Sequence, residues 1–343
     1  MKNNHQRGMA LLVVLMITAM MTITAVSMND HWLRAFNRAA SSQFYQQSKW
    51  LLLSMESVVQ HQQLSPLPAD KIHLGQPWAR ATQQISLDGN QVSFSLRDRQ
   101  TCFNLNGIGQ GGVTGKKTEP ETEEKKKERE KAAEAEEPLA PYSQQVFQHL
   151  LLAQGLNATE AQKITFALAD WLDKDDISRI TAGSEATLYQ QHRPILVPTN
   201  RPMLNISEFR VLPGVSQALF QRLKPLICTL PNQNLRININ TLTTDQAPLL
   251  AALFLGEMSL EEAQQLIERR PTNGWNNVND IKSFIADNDA SFAKAKTAIT
   301  LTSNYFELLL WLDDNQQNNS MRSLFQRDGK VIKVLSRQYG LSD

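Results

Sequence analysis

The sequence predicts an α+β fold: a long N-terminal helix and an antiparallel sheet, with a large all-α domain inserted into that sheet. Three observations point to it. Residues 9–64 hold no Pro or Gly and keep helix formers throughout. Apolar alternation of period two occurs twice, at 84–96 and again after Thr302. Between those stretches, Tyr142 to about Thr300 is patterned as helices. The simplest arrangement of helix, strands, helical block and strands is one sheet interrupted by a helical insertion.

The N-terminal element begins with an uncharged run, MALLVVLMITAMMTITAVSM at 9–28. At 1.5 Å per residue it spans about 30 Å, the thickness of a bilayer core. Lys2 and Arg7 precede it, which holds the short end inside and sends the body out. A secretory signal cut near Ala25-Val26-Ser27 and a plain signal anchor are two readings. A third is a leader cut before the apolar run, and Arg7-Gly8-Met9 suits it: basic residues, a Gly, then uninterrupted apolar sequence. Continuity favours the third. Trp32, Leu33, Phe36, Phe44, Leu51, Leu52, Met55 and Val58 continue one apolar helix face until Pro66 and Pro68 end it. The helix is therefore half in lipid and half outside.

The first strands, QISLDGNQVSFSL at 84–96, turn at Asp88-Gly89-Asn90. Gly107 to Gly112 formally matches GxGxxG, but a charge run follows it rather than an apolar helix, so no nucleotide site is expected. Residues 116–137 carry seven positive and nine negative charges with almost no large apolar residue, which describes a solvated linker or a lone charged helix. In the helical block, Val146, Phe147, Leu150 and Leu151 form one stripe, and Ile164, Phe166, Leu168, Trp171 and Leu172 another. Trp171 and Trp275 read as core. Two segments echo each other, Asn205–Val215 before a helix to Leu223, and Ile239–Leu242 before a helix to Leu255. Both resemble helix-hairpin-helix or SAM-like modules. Tyr305–Leu312, Met321–Gln326 and Val331–Arg337 read as strands, with Asp328-Gly329 turning the last pair.

Composition bounds function. The 343 residues are 41% hydrophobic with a net charge of +1, so no global field draws nucleic acid. Loss of Lys2 and Arg7 with a leader brings the charge to −1. Scattered histidines, with no HExxH, GxSxG or P-loop, offer no catalytic constellation. Cys102 and Cys228 lie in no CxxC or metal-type cluster. In an exported body they suggest one disulfide, against the alternative of two buried thiols. The chain-entropy model gives such a long loop roughly 4–5 kcal/mol, and the bond would clamp the insertion to the sheet.

Asp170 and Asp173 share a helix face, Asp175 and Asp176 follow where the helix must end, and Glu185 returns after a Gly turn. Carboxylates at a helix C-terminus oppose its dipole, and that unfavourable placement hints at a cation. Calcium, with six to eight oxygen ligands, suits such a set. A solvated acidic helix end is the plainer reading.

The long helix resembles that of type IV pilins and pseudopilins. The resemblance becomes specific along an ordered set of segments. These are Arg7-Gly8-Met9-Ala10-Leu11, Cys102–Asn106, Asp170-Trp171-Leu172-Asp173, Gly183-Ser184-Glu185 with Tyr189, Asn200-Arg201-Pro202, Ser207–Arg210, Gly214-Val215, Ile237–Thr241 and Asn304–Glu307. Together they resemble the general secretion pathway protein K family, minor pseudopilins of type II secretion.

The resemblance implies a pilin-like frame, cleavage and N-methylation by the prepilin peptidase, calcium in the insertion, and a tip complex with the I and J minor pseudopilins above the major pseudopilin. Most pilins carry Glu as the fifth mature residue; here it is Val13, which suits a subunit with none ahead of it. Ala186 stands where a further acid is expected, and the 116–137 run is long for the family.

The expected organisation is a leader at 1–8, a transmembrane helix at 9–29, helix and first strands at 30–105, a Gly-rich charged linker at 106–141, the inserted helical domain at 142–300 and the last strands at 301–343. The expected role is a structural, non-enzymatic subunit in the bacterial inner membrane with its body in the periplasm. A DNA-uptake or type IV pilus minor pilin using the hairpin modules is the alternative. The hairpins lack the paired glycines and clustered cations that phosphate binding needs, so no nucleic-acid partner is expected.

Overall fold

The computed structural model describes residues 6–87, 90–108, 140–174, 178–180, 189, 198–285, 289–314 and 317–340. The charged run 116–137 lies outside them.

Helix α1 runs from Gln6 to Val59, 54 residues, and one wider turn, Gln60–Leu64, ends it. Its first part holds polar atoms that must be satisfied without water. Thr18, Thr22 and Thr24 do so locally, donating to the carbonyls of Leu15, Ala19 and Met21 at 2.8–2.9 Å. Packing begins at Phe44, which is half-buried against the sheet core, and Ser48 is the next buried position. From there Leu52, Met55, Val59 and Leu64 are fully buried against Phe94, Phe306, Leu308, Leu310, Met321 and Phe325. The apolar face expected from Trp32 onward is thus only partly buried by the chain itself. Trp32 and Phe36 are 62% and 57% exposed and stack on each other.

Two inward polar residues align α1 on the sheet. Ser48 accepts from Asn319 Nδ2 at 2.6 Å. Glu56, almost fully buried, accepts from Ser323 Oγ at 2.5 Å and from Arg337 Nε and Nη2 at 2.7–3.1 Å.

The sheet is antiparallel with order β1-β2-β7-β8-β9. Strands β1 (Gln83–Leu87) and β2 (Asn90–Asp98) form the expected hairpin, with Leu87 opposite Asn90. Strands β7 (Tyr305–Asp314), β8 (Gln317–Asp328) and β9 (Val331–Tyr339) are longer than the alternation suggested, because β7 and β8 pair along their whole length. The last turn sits one residue later than expected. Asp328 pairs with Val331, so Gly329-Lys330 is the two-residue loop, and Gly329 takes the positive φ of 60° that such turns need.

Everything from Arg99 to Asn304 lies between β2 and β7, which are neighbours in the sheet, with Asp98 opposite Phe306. The insertion is built from two like units. The first contains β3 (Phe103–Asn104), α2 (Tyr142–Ala153), α3 (Ala158–Leu172), a 3-10 turn at Ile206–Val211, α4 (Gln217–Leu223) and β4 (Ile227–Cys228). The second contains β5 (Ile237–Asn238), α5 (Ala247–Leu253), α6 (Leu260–Glu268), a 3-10 turn at Val278–Phe284, α7 (Asp289–Ala298) and β6 (Ile299–Thr300). Each unit closes by a two-residue parallel pairing, β3 with β4 and β5 with β6.

An Asn-x-Asn pair opens each unit. Asn104 Oδ1 accepts from Asn106 N at 3.3 Å, and Asn238 Oδ1 from Asn240 N at 3.0 Å. The second Asn then grips one residue's backbone from both sides. Asn106 holds Met203 at 2.7 and 3.0 Å, and Asn240 holds Trp275 at 2.7 and 3.1 Å. Two residues beyond each gripped residue stands an Asn capping box, Asn205 with Glu208 and Asn277 with Asp280. The internal echo therefore pairs Asn205 with Asn277, not with the Ile239–Leu242 segment, whose counterpart begins the first unit. Gly274 is required here: a Cβ on it would lie 2.7 Å from Asn240 Cγ, and its φ is 69°. Both units share one core that includes Phe103, Phe147, Leu168, Trp171, Leu250, Phe254 and Trp275.

Arg337→Ala should lower stability by about 1–3 kcal/mol, because it strips a buried carboxylate of its charged donors. Urea unfolding of the full chain in detergent measures this. Glu56→Gln combined with Arg337→Ala should cost less than the sum of the two single changes.

Candidate functional site

The insertion meets the sheet at Asp98. On β2 the inward positions run Val92, Phe94, Leu96, Asp98, so a carboxylate takes the last core position. Four donors converge on it: Gln100 N at 2.8 Å, Asn238 Nδ2 at 3.2 Å, Thr241 Oγ1 at 2.5 Å and Ser303 Oγ. They come from the end of β2, the opening of the second unit and the return to β7. Asn238 Nδ2 also reaches Ile72 O at 3.1 Å and Ser303 Oγ at 2.8 Å. Burial pushes the Asp98 carboxyl above its ordinary value, and the four hydrogen bonds offset this only in part. Sequence reasoning did not single out Asp98; its signal was an acid in register with three inward apolar residues.

Beside this node, Cys102 and Cys228 are joined as a disulfide with Cα atoms 5.7 Å apart. The bond closes 126 residues of separation and packs with Leu230, Tyr305 and Leu324. Both cysteines lie within the insertion, so the bond closes the first unit beside the β3–β4 pairing rather than crossing to the sheet as expected, and only its packing on Tyr305 of β7 and Leu324 of β8 touches the sheet. Arg327 ties β8 to the segment after α1, donating to the carbonyls of Leu67 and Pro68, while its backbone N–H donates to Asn304 O at the end of the insertion.

The acidic cluster lies in the first unit. Asp170, 1% exposed, is on the last turn of α3. Its Oδ2 accepts from Arg179 N at 2.9 Å and Ser178 Oγ at 3.3 Å. Arg179 Nη1 lies 2.5 Å from both Asp170 Oδ1 and Asp173 Oδ2. Burial alone would lower the Arg179 guanidinium, but hydrogen bonds and charge from the two aspartates outweigh it and raise it. Two carboxylates on one guanidinium leave one negative charge, at a helix end whose dipole already repels it. Among the described residues only these two acids come together, paired with Arg179 and Ser178, and oxygen donors of this kind are those a hard cation takes. Asp175, Asp176 and Glu185 lie outside the described residues. Arg179 was not foreseen, since it follows the acids in a loop with no periodic pattern.

Gly8 and Met9 lie within α1, and Met9 is 71% exposed. Val13 is also exposed, and among the described residues the apolar run has no packing partner.

An apolar anchor continuous with a packed helix, an antiparallel sheet across its far half and a helical body between two sheet strands define a pilin-like subunit with an inserted domain. Family models described as type II secretion system protein K match residues 101–232 and 237–302, the two units of the insertion. The chain is 33% identical to type II secretion system protein K of Klebsiella pneumoniae, with 99% of this chain and 98% of that protein covered. It is 31% identical to the protein of the same name from Dickeya chrysanthemi, with 98% of each covered. A chain in the crystal structure of the GspK-GspI-GspJ complex from the enterotoxigenic Escherichia coli type 2 secretion system superposes with a TM-score of 0.73 at 32% identity. That match covers 89% of this chain and 100% of the other. The chain belongs to the type II secretion system protein K family.

The raised Asp98 value sets a pH dependence. The folded state binds a proton more tightly than the unfolded chain, whose Asp value is about 3.9. Stability from this group is therefore full below pH ~4 and falls as pH rises toward the folded value. Asp98→Asn should flatten that slope. Chemical unfolding across pH 4–8 checks it, and equal slopes in both proteins would refute the assignment.

Proposed function

We propose that this chain is the minor pseudopilin that caps the type II secretion pseudopilus, a structural subunit that starts assembly and serves export of folded proteins. The observation that carries this is the position of the insertion. Along α1 from Ser48 to Glu56, and on to Leu67, the partners on β8 advance from Asn319 through Ser323 to Arg327. Arg327 N then bonds Asn304 O at the end of the insertion. The helical body thus stands at the end of the sheet farthest from the anchor, where it would block a subunit stacked above. Val13 supports the same position, since a carboxylate buried in lipid costs about 2.5–3.5 kcal/mol unless paired, and a tip subunit has no subunit ahead of it to pair with.

The exposed Trp32, Leu33 and Phe36 would pack against neighbouring helices of the major pseudopilin and of the I and J minor pseudopilins. The I and J assignment draws on the complex named for the structural relative. The anchor would lie in the inner membrane with the body in the periplasm. The prepilin peptidase would cut between Gly8 and Met9 and methylate the new terminus. The role needs no reaction, and the chain acts by assembly rather than catalysis. The DNA-uptake alternative is not favoured. Gly214 and Gly256 have φ near 90°, and a Cβ on them would lie 3.2 Å from Ile164 and His149. Their turns serve packing between hairpins rather than phosphate.

Calcium is proposed at the acidic cluster, held by Asp170, Asp173, Asp175, Asp176 and Glu185. It would neutralise the charge that Arg179 leaves.

Intact mass and N-terminal sequencing of membrane-extracted protein should show a methylated Met9 at the start; a start near Asn29 would overturn the reading. Calcium at about a hundred times its Kd would add about 2.7 kcal/mol to folding. Excess EDTA should therefore lower the melting temperature at constant ionic strength, and an unchanged value would remove calcium from the account.

A further inference from the structure

A cleft of about 670 Å³ opens between the outer face of the sheet and the inserted domain. Its size lies within the roughly 300–1,000 Å³ typical of ligand sites. Its charge is one-sided. Arg97 projects from the outer face of β2 opposite Glu307, and Arg99 continues that edge. Arg322 stands on β8, Arg80 on the segment entering β1, and Lys224 at the end of α4. Five cations from four separate segments thus face one space. Arg80, Arg97 and Lys224 are exposed.

The acids of the same cleft do not balance them. The oxygens of Asp98 are taken by the junction donors described above. Glu307 Oε2 lies 3.9 Å from Arg99 Nε and 3.8 Å from Arg322 Nε, so one carboxylate is shared between two guanidiniums. Asp245 is the remaining acid of the lining. A cleft with one wall from the sheet and one from the insertion, and a surplus of positive charge, favours an anionic guest.

We propose that this cleft binds a carboxylate-rich segment of a partner protein. Guanidiniums pair bidentately with carboxylates, and four arginines, on β2, just past its end, on β8 and on the segment entering β1, suit an extended peptide carrying several of them. Height separates this from a lipid headgroup. The cleft lies at the level of the chain beyond Leu64, about 36 residues above Met28, which is about 54 Å of helix. That distance exceeds the Debye length of about 8 Å several-fold. The exclusion of lipid rests on the anchored-helix reading; the rest of the inference does not.

The test uses the full chain in neutral detergent and fluorescein-labelled hexaglutamate, followed by anisotropy at low ionic strength. Saturable binding that weakens with added salt is expected, with none for labelled hexalysine. Arg80→Glu combined with Arg97→Glu should weaken it at least about tenfold, since opposed charges become like charges. Lys224→Glu, on the opposite wall, should weaken it as well, while Lys333→Glu on the exposed strand β9 should leave it unchanged. Circular dichroism and melting temperature identify any variant that misfolds, and the single change at Lys224 then decides. Absence of saturable binding would overturn the proposal, as would binding indifferent to the cleft variants. Tighter binding of oligothymidylate or phosphatidylglycerol vesicles, lost in the same variants, would also overturn it by making the cleft a site for another polyanion. Neither result bears on where the chain is processed or anchored.

Discussion

A single buried carboxylate holds the two halves of this molecule in register. Asp98 ends a core-facing row on β2 and accepts from groups at the end of that strand, at the head of the second helical unit and at the return to β7. An insertion of this size could hinge on its two connecting strands. Hinging would strip a buried carboxylate of donors, which is costly, because this placement of the second unit supplies Asn238 and Thr241 together. The disulfide, inside the first unit, packs on Tyr305 and Leu324 at the same junction, and Arg327 N donates to Asn304 O there. The basic cleft depends on it too, since one of its walls belongs to each body.

The long helix meets two solvents with two solutions. Among the described residues of its first half the apolar side chains are exposed, and threonine hydroxyls return to the helix's own carbonyls. In its second half the buried stripe is interrupted by Ser48 and Glu56, which would weaken a helix packed by apolar contact alone. Their partners on β8 and β9 give the helix a defined height and rotation on the sheet. Between the halves lies the aromatic stretch around Trp32 and Phe36, which this chain leaves uncovered.

Much of this was legible beforehand, and the misses have physical reasons. Helix length follows from the absence of Pro and Gly, and strand identity from alternation, so both survived contact with the structure. The turn at Gly329-Lys330 was misplaced by one residue because Asp328 suits a turn as well as a strand end, and only pairing with Val331 decides. The internal echo was mis-registered because the repeated feature is an asparagine gripping a distant backbone. That contact joins Asn106 to Met203 and Asn240 to Trp275, and nothing local marks it. The acidic cluster was visible as a run of carboxylates, but its shared partner Arg179 was not, since a loop residue carries no period.

The sequence by itself determined the anchor, the continuity of the helix beyond it, the α+β class with a helical insertion, and the family. These depend on local composition and on periods that neighbouring residues express. Tertiary structure decided which aspartate ties the insertion to the sheet, how the two units repeat, and that arginines far apart in the chain share one cleft. Those features are agreements between residues tens to hundreds of positions apart. Burial makes them matter, because away from water a charge or an amide must find its partner wherever the fold brings it.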